Sequence, residues 1–290
     1  MEQRKFARPC INTFKRNWAS SSPITLQTTQ KGLSLNYEKV EDEILRFIRK
    51  VVADGGAKGA VIGLSGGIDS AVVGALCVRA LGKDSVVGIL MPASHTPVQD
   101  TKDGRDMAKK WGIKLYEVGI DPVFDTFMVS MPKFKGENKI AKANVKARIR
   151  MVINYFIANS HGMLVAGTGD KSEDMIGFFT KYGDGGVDFL PIAHLYKTQV
   201  RELGAHLGLP HGVVTKPSSP QLWPGHKAID EIPVEYERLD HVLVGLFDEK
   251  LPPKEVAKKT GVDIKVVQDV IKRHKASAHK RSYPPMLGSW

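Results

Sequence analysis

The chain has 290 residues, 42% hydrophobic and 25% charged, which is ordinary for a globular protein and long enough for one large or two modest domains with a real core. No apolar run reaches the roughly 18 residues that a membrane-spanning helix needs, and no signal-peptide pattern opens the sequence, so no membrane partner is expected. The net charge of +11 would point to nucleic acid if it were spread evenly, but it is not: residues 1–31 carry six Lys/Arg against one Glu, residues 250–290 carry ten against three acids, and the body between sums to about −1. A general basic face is therefore absent from the body, and a nucleic-acid partner is not expected.

Residues 1–36, with "NWASSSPITLQTTQKG", are rich in Ser, Thr and Gln and weakly periodic, and read as an extension, partly disordered or wrapped on a partner. From Tyr37 the pattern sharpens, with Val40, Ile44, Leu45, Phe47, Ile48 and Val51 at helical spacing. Strands are then expected at 60–64, 85–91, 114–118 and 162–166. Between them come helices at 70–81, about 97–111, 121–131 and 138–160. Short β-rich runs alternating with longer helices predict an α/β fold, a parallel sheet covered on both faces. Beyond it lie a proline-rich loop at 216–225, long enough for a lid, an amphipathic helix in "PVEYERLDHVLVGLFD", and helices near 253–260 and 263–276. The two cysteines, Cys10 and Cys77, form no paired motif; Cys77 lies in an apolar helical run and reads as core, which fits a reducing cytoplasm.

Ligands in such sheets bind beyond the carboxyl ends of the strands. "GLSGGIDSA", from Gly63 to Ala71, stands at such an end. Gly66 and Gly67 let backbone approach an anion and take positive φ, and the first N–H groups of the following helix point at it. Ser65 and Ser70 add hydroxyl donors. No lysine follows the glycines, so this is not the nucleoside-triphosphatase loop. Asp69 beside bound phosphates would repel them unless a cation lay between, which implies Mg²⁺. The plainer alternative is a helix start with an acid in its first turn, worth about 1 kcal/mol.

"SGGIDS" resembles the signature of the ATP pyrophosphatases, which split ATP between its α and β phosphates. "NVKARIR" (144–150), "GTGDKSED" (167–174), "GFFTKYGDGGVDFLPIAHLYKTQVR" (177–201) and "HKR" (279–281) are similar to NAD⁺ synthetase, in the expected order over residues 37–290. The resemblance implies a Rossmann-like sheet of the adenine nucleotide α-hydrolase type, with residues 37–290 as the catalytic domain. It places ATP on Gly63, Leu64, Ser65, Gly66, Gly67, Ile68, Asp69 and Ser70, with Thr168, Lys197 and Ser219, and magnesium on Asp69 and Glu173.

Each piece has its own physical reading. In "NVKARIR", Asn144 and Arg148 share a helix face beside an apolar stripe of Ile149, Val152, Ile153 and Phe156, so Arg148 sits at the rim of buried surface. The resemblance makes it a ligand of deamido-NAD⁺; a solvated Arg is the alternative. Glu173 is the expected second metal ligand, with Asp174 competing. The "FFTKYGDGGVD" loop looks hairpin-like, its aromatics able to form a slot for a flat ring or simply core. Resemblance assigns Lys181 and Asp188 to the dinucleotide and, more loosely, Asp184 to its reacting end. Lys197 opens a helix whose dipole disfavours a cation, a sign that bound polyphosphate would reverse. Ser219, with Ser218 as its rival, would close on the same phosphates. His279 and Lys280 match a dinucleotide-contacting pair, though composition alone reads "KRHKASAHKR" as a solvated tail.

The implied reaction activates the nicotinate carboxylate as an acyl-adenylate, and ammonia then displaces AMP. Glutamine-using relatives carry a long amidase domain with a catalytic cysteine that finds no match here, so free ammonia is the expected donor. Other readings are an enzyme preferring nicotinate mononucleotide, a tRNA-thiolating relative (which calls for cysteine pairs), and a helix-turn-helix DNA reader at "PPKEVAKKTGVDIKVVQDVIKRHK". After "LWPG" the family's acidic run gives way to "HKAIDEIP" (226–233), which touches lid closure. Family members are homodimers, and a homodimer is expected.

Overall fold

The computed structural model describes residues 33–133, 135–136 and 138–287. Expectations for Cys10 and most of the extension lie outside the described residues. Leu33 and Leu35 pack against the body, and Asn36 caps the first helix by accepting from the Lys39 N–H at 3.0 Å.

Four parallel strands, β1 (Ala60–Gly63), β2 (Val86–Leu90), β3 (Lys114–Glu117) and β4 (Leu164–Val165), lie in the order β3-β2-β1-β4. The helices are α1 (Tyr37–Asp54), α2 (Ile68–Leu81), α3 (Val98–Trp111), α4 (Asp121–Ser130), α5 (Lys139–His161), α6 (Lys171–Ile176), α7 (Lys197–His206), α8 (His211–Val214), α9 (Tyr236–Leu243), α10 (Pro253–Thr260) and α11 (Ile264–Ala276). The predicted alternation holds, with α2 starting two residues earlier than expected and β4 reduced to two residues. A wide turn follows α9, in which the Glu249 N–H reaches the Val244 carbonyl.

Side chains alternate along the strands, so each strand feeds two cores. Ala60, Ile62, Val86 and Leu90 join α1, α2 and α7 on one face, while Val61, Val87 and Ile89 join Ile157 and Ala158 of α5 on the other. Buried on both sides, these strands read as continuous apolar runs. A third core gathers Leu239, Leu243, Val256, Val267 and Val270, docking α10 and α11 onto α9. The pair that mimics a helix-turn-helix thus presents its apolar side to the body. Cys77 is fully buried, which pushes its thiol up to about 12, so it is inert core as expected. No helix among the described residues is long and apolar enough to cross a membrane.

The strand order fixes where a ligand can enter. The chain runs outward from β1 to β2 and β3, then crosses back to β4 on the other side of β1. That reversal opens a crevice at the carboxyl ends of β1 and β4. Both glycine-bearing segments singled out in the sequence emerge there.

Burial brings His194 down to about 4, with Lys171 adding to the effect. Its folded value lies below its ordinary one, so the unfolded chain binds the extra proton and stability is lost as pH falls from about 6.5 towards 4. His194→Asn is expected to remove about 2–3 kcal/mol of that loss, read as a flatter melting-temperature profile between pH 7 and 4.5.

Candidate active site

The elbow between β1 and α2 is shaped by one glycine. Gly66 has φ +77°, and a Cβ there would lie 2.1 Å from the Asp100 carbonyl of α3. Gly67, expected to share that conformation, instead has φ −90° and is the extended N-cap of α2. No side chain caps that helix, so its first N–H groups are left for a ligand. Ser70 is expected to offer its hydroxyl to the anion. It is buried, donates to the Gly67 carbonyl at 3.0 Å and accepts from the Ser65 N–H at 3.2 Å, so it braces the turn from inside.

Asp69 and Glu173 converge as expected, with a third acid the sequence reading missed. Oxygens of Asp69, Asp170 and Glu173 lie within 4.8 Å of one another. Lys197 stands among them, its Nζ 2.8 Å from Asp69 Oδ1, 2.6 Å from Asp170 Oδ2 and 2.9 Å from Glu173 Oε1. Its side chain is 0% exposed, as is that of Asp170, whereas Asp69 and Glu173 each keep 22% on the cleft wall. Lys197 is expected to meet ATP phosphates, and in this structure its ammonium engages three carboxylates. Burial alone would lower Lys197, but the acids outweigh it and hold it charged. Burial pushes Asp170 up to about 6 and Glu173 well above the usual carboxylate range, while Lys197 pulls both back. Asp170 is also the N-cap of α6, where its Oδ1 accepts from the Glu173 N–H at 2.9 Å.

Fully ionised, as a bound cation would hold them, three acids around one ammonium carry a surplus of two negative charges, and Asp69 Oδ2 and Glu173 Oε2 remain beyond those engaged by Lys197. Hard carboxylate oxygens with that surplus fit Mg²⁺, which takes one or two carboxylates and completes its shell with phosphate oxygens and water. Asp174 is not part of this cluster.

The cleft beyond the elbow encloses about 440 Å³ and is lined by Gly63, Leu64, Ser65, Gly67, Ile68 and Asp69 on the strand side. Thr168, Glu173, Asn144, Asp184, Ser219 and Lys280 also line it, as expected. Lys280 donates to the Gly177 and Phe179 carbonyls at 2.8 and 2.7 Å, so this residue belongs to the site rather than to a solvated tail. Asp184 Oδ1 accepts from the Thr180 N–H, and the segment 178–186 is a run of turns instead of a hairpin. Ser219 donates to the His226 carbonyl and so is engaged with its own loop, while the buried Ser218 Oγ on the same wall has no partner.

Gly66, Ser70 and Lys197 of the expected ATP set fall outside this lining, as do four expected dinucleotide ligands. Arg148 is exposed and reaches the Lys181 carbonyl at 3.3 Å, and Lys181 reaches the His279 carbonyl at 2.5 Å, so these three form a neighbouring patch. Asp188, expected to meet the dinucleotide, accepts from the Val165 N–H at 2.7 Å and the Tyr155 hydroxyl at 3.1 Å, so its two oxygens tie the loop to β4 and to α5. The arginine that α5 turns into the cleft is Arg150, held by the Met91 carbonyl at 3.1 Å. The stripe beside Arg148 is split: Ile149 and Ile153 pack against the core, while Val152 is 59% and Phe156 72% exposed.

A doubly wound parallel sheet with a glycine-serine elbow and a carboxylate cluster at its switch point defines a nucleotide-binding α/β enzyme of the ATP pyrophosphatase type. Comparison narrows the class. The NAD synthase family model matches residues 40–284, and the chain belongs to that family. It is 47% identical over 260 residues to the NH₃-dependent NAD⁺ synthetase of Staphylothermus marinus, covering 89% of this chain and 94% of that one. Against the enzyme of the same name from Hyperthermus butylicus the identity is 48% over 259 residues, covering 89% and 93%. Among solved structures, NMN synthetase from Francisella tularensis aligns with a TM-score of 0.78 at 30% identity, and NH₃-dependent NAD synthetase from Campylobacter jejuni with 0.74 at 28%. Each covers 88% of this chain and 100% of its own.

Proposed function

We propose that this chain is a ligase of the cytoplasm that converts the nicotinate carboxylate of deamido-NAD⁺ to the amide, using ATP and ammonia and releasing AMP and pyrophosphate. The observation that carries the reading is a single cleft joining the elbow and the Asp69–Glu173 wall to the 178–187 loop. A carboxylate oxygen attacks the α-phosphorus and pyrophosphate leaves; ammonia then attacks the acyl carbon, AMP leaves with the bond electrons, and a nitrogen proton is lost. The elbow N–H groups hold the polyphosphate, and Asp69 and Glu173 would hold Mg²⁺, which when bound offsets phosphate charge. Thr168, Asn144, Asp184 and Lys280 orient the partners, and the neighbouring patch of Arg148, Lys181 and His279 receives the far part of the dinucleotide. Catalysis of this kind works by positioning and charge stabilisation, and no side chain becomes a covalent nucleophile. Purified protein with ATP, Mg²⁺, deamido-NAD⁺ and ammonium is expected to form NAD⁺ and AMP in equal amounts, and to form none with glutamine in place of ammonium.

The Francisella tularensis structure, an NMN synthetase by name, supports a second reading with nicotinate mononucleotide as the acid. A higher kcat/KM for the mononucleotide in the same assay would establish it.

The working form is proposed to be a homodimer. Val152 and Phe156 stand one turn apart on α5, and Val123 and Phe127, 49% and 40% exposed, do so on α4. Apolar side chains so exposed fit a covered face. Wild type is expected to sediment at twice the chain mass, and Phe156→Arg as a monomer at micromolar concentration.

A further inference from the structure

The 216–225 loop contributes Ser218 and Ser219 to the cleft, yet none of its side chains belongs to a hydrophobic core. It is held by polar contacts, and these concentrate on one residue of α3. Asp100 is 7% exposed, and both its oxygens go to the loop: Oδ1 accepts from Lys216 Nζ at 2.6 Å, and Oδ2 from Gln221 Nε2. Lys216 completes its three donors with Asp103 Oδ2 at 2.5 Å and the Gly66 carbonyl at 3.0 Å. The backbone of Asp100 touches the elbow directly, since its carbonyl fills the space a Gly66 Cβ would need. Three segments distant in sequence therefore meet at Asp100 and its partner Lys216. Gln221 adds a fourth tie, its carbonyl 3.0 Å from His95 Nε2, and takes φ +50° to do so.

We propose that Asp100 is a positioning residue for the ATP site: paired with Lys216, it latches the 216–225 loop to the phosphate-binding elbow and so sets the loop's serines over the cleft. The pairing is saturated, with three acceptors for three ammonium protons, so Lys216 serves as an anchor and not as a free cation awaiting phosphate. A charge-assisted bond between partly buried groups is strong enough that removing it shifts the position of such a loop about tenfold. The core does not depend on it, because no side chain of the loop is part of the core and α3 is packed through Met107 and Ala108.

The idea rests on the ligase reading for its kinetic arm only. Asp100→Asn, Lys216→Met and the double variant are compared with wild type by chymotrypsin cleavage after Leu222, by steady-state kinetics and by thermal unfolding. Cleavage is expected to quicken about tenfold in each single variant and hardly further in the double, because both remove one latch. The KM for ATP is expected to rise about tenfold with kcat within threefold, and Lys216→Arg to restore most of it. Unchanged cleavage, full additivity of the two changes, or a fall in kcat at constant KM would overturn the proposal. If wild type makes no NAD⁺, the ligase reading fails while the cleavage comparison still decides the latch.

Discussion

Lys197→Met is expected to melt about 10 °C below wild type and to form no measurable NAD⁺. The ammonium lies between three carboxylates at 2.6–2.9 Å, two of the four side chains being wholly buried. Removing one partner of a buried ion pair costs about 3–5 kcal/mol, because the charge left behind has neither water nor counter-ion. At roughly 2–4 °C per kcal/mol for a domain of this size, a fall near 10 °C follows. The activity loss has the same origin, since Asp69 and Glu173 would splay apart and lose the spacing that suits a metal. The pH dependence carries the sign. Burial already holds Asp170 and Glu173 above their ordinary values, so the folded form takes up protons that the unfolded chain does not bind, and acidification favours the fold. The gap between variant and wild type should therefore narrow from pH 7 towards pH 5, and narrow also on adding Mg²⁺. Scanning fluorimetry at both pH values, with and without the ion, checks each point. Were Lys197 merely a phosphate ligand at the cleft surface, the variant would melt with wild type while losing only ATP affinity.

The contrast shows where sequence reasoning stops. The strands were legible because burial on two faces leaves continuous apolar runs, and the elbow because two glycines, two serines and an acid at a strand end have few other uses. The acids around Lys197 were missed because the reasoning used one helix, weighing its charge against the dipole of α7. Its true environment is set by acids from α2 and from the start of α6, which only the sheet's return to β4 brings together. Arg150 was missed for a simpler reason. Helical spacing groups residues into faces but does not say which face meets the cleft; packing does, and it turns Asn144, Ala147, Arg150, Met151 and Asn154 inward while Arg148 points out. Asp100 and Lys216 are separated by 116 positions, and nothing local marks either one.

Gly66→Ala is expected to lower stability by about 2–4 kcal/mol and ATP affinity at least a hundredfold, whereas Gly67→Ala should fold almost as well as wild type. The two glycines are adjacent and look equivalent in the sequence, so the difference tests the elbow's geometry directly. At Gly66 the backbone sits at φ +77°, and the added carbon would meet the Asp100 carbonyl at 2.1 Å, its α-carbon at 2.8 Å and no flexible side chain that could yield. Relief requires α3 to move, which also pulls Asp100 from Lys216. At Gly67 φ is −90°, and the added carbon would meet only the Ser65 hydroxyl at 3.3 Å. A small rotation of that serine absorbs the contact, so Gly67→Ala acts through whatever space the carbon takes from an anion at the start of α2. Thermal unfolding without nucleotide separates the fold effect from the site effect, and calorimetric titration with ATP and Mg²⁺ measures the second. Equal melting temperatures for the two variants would mean that the elbow is not pressed against α3 in solution, and the placement of the phosphate-binding N–H groups would have to be drawn again.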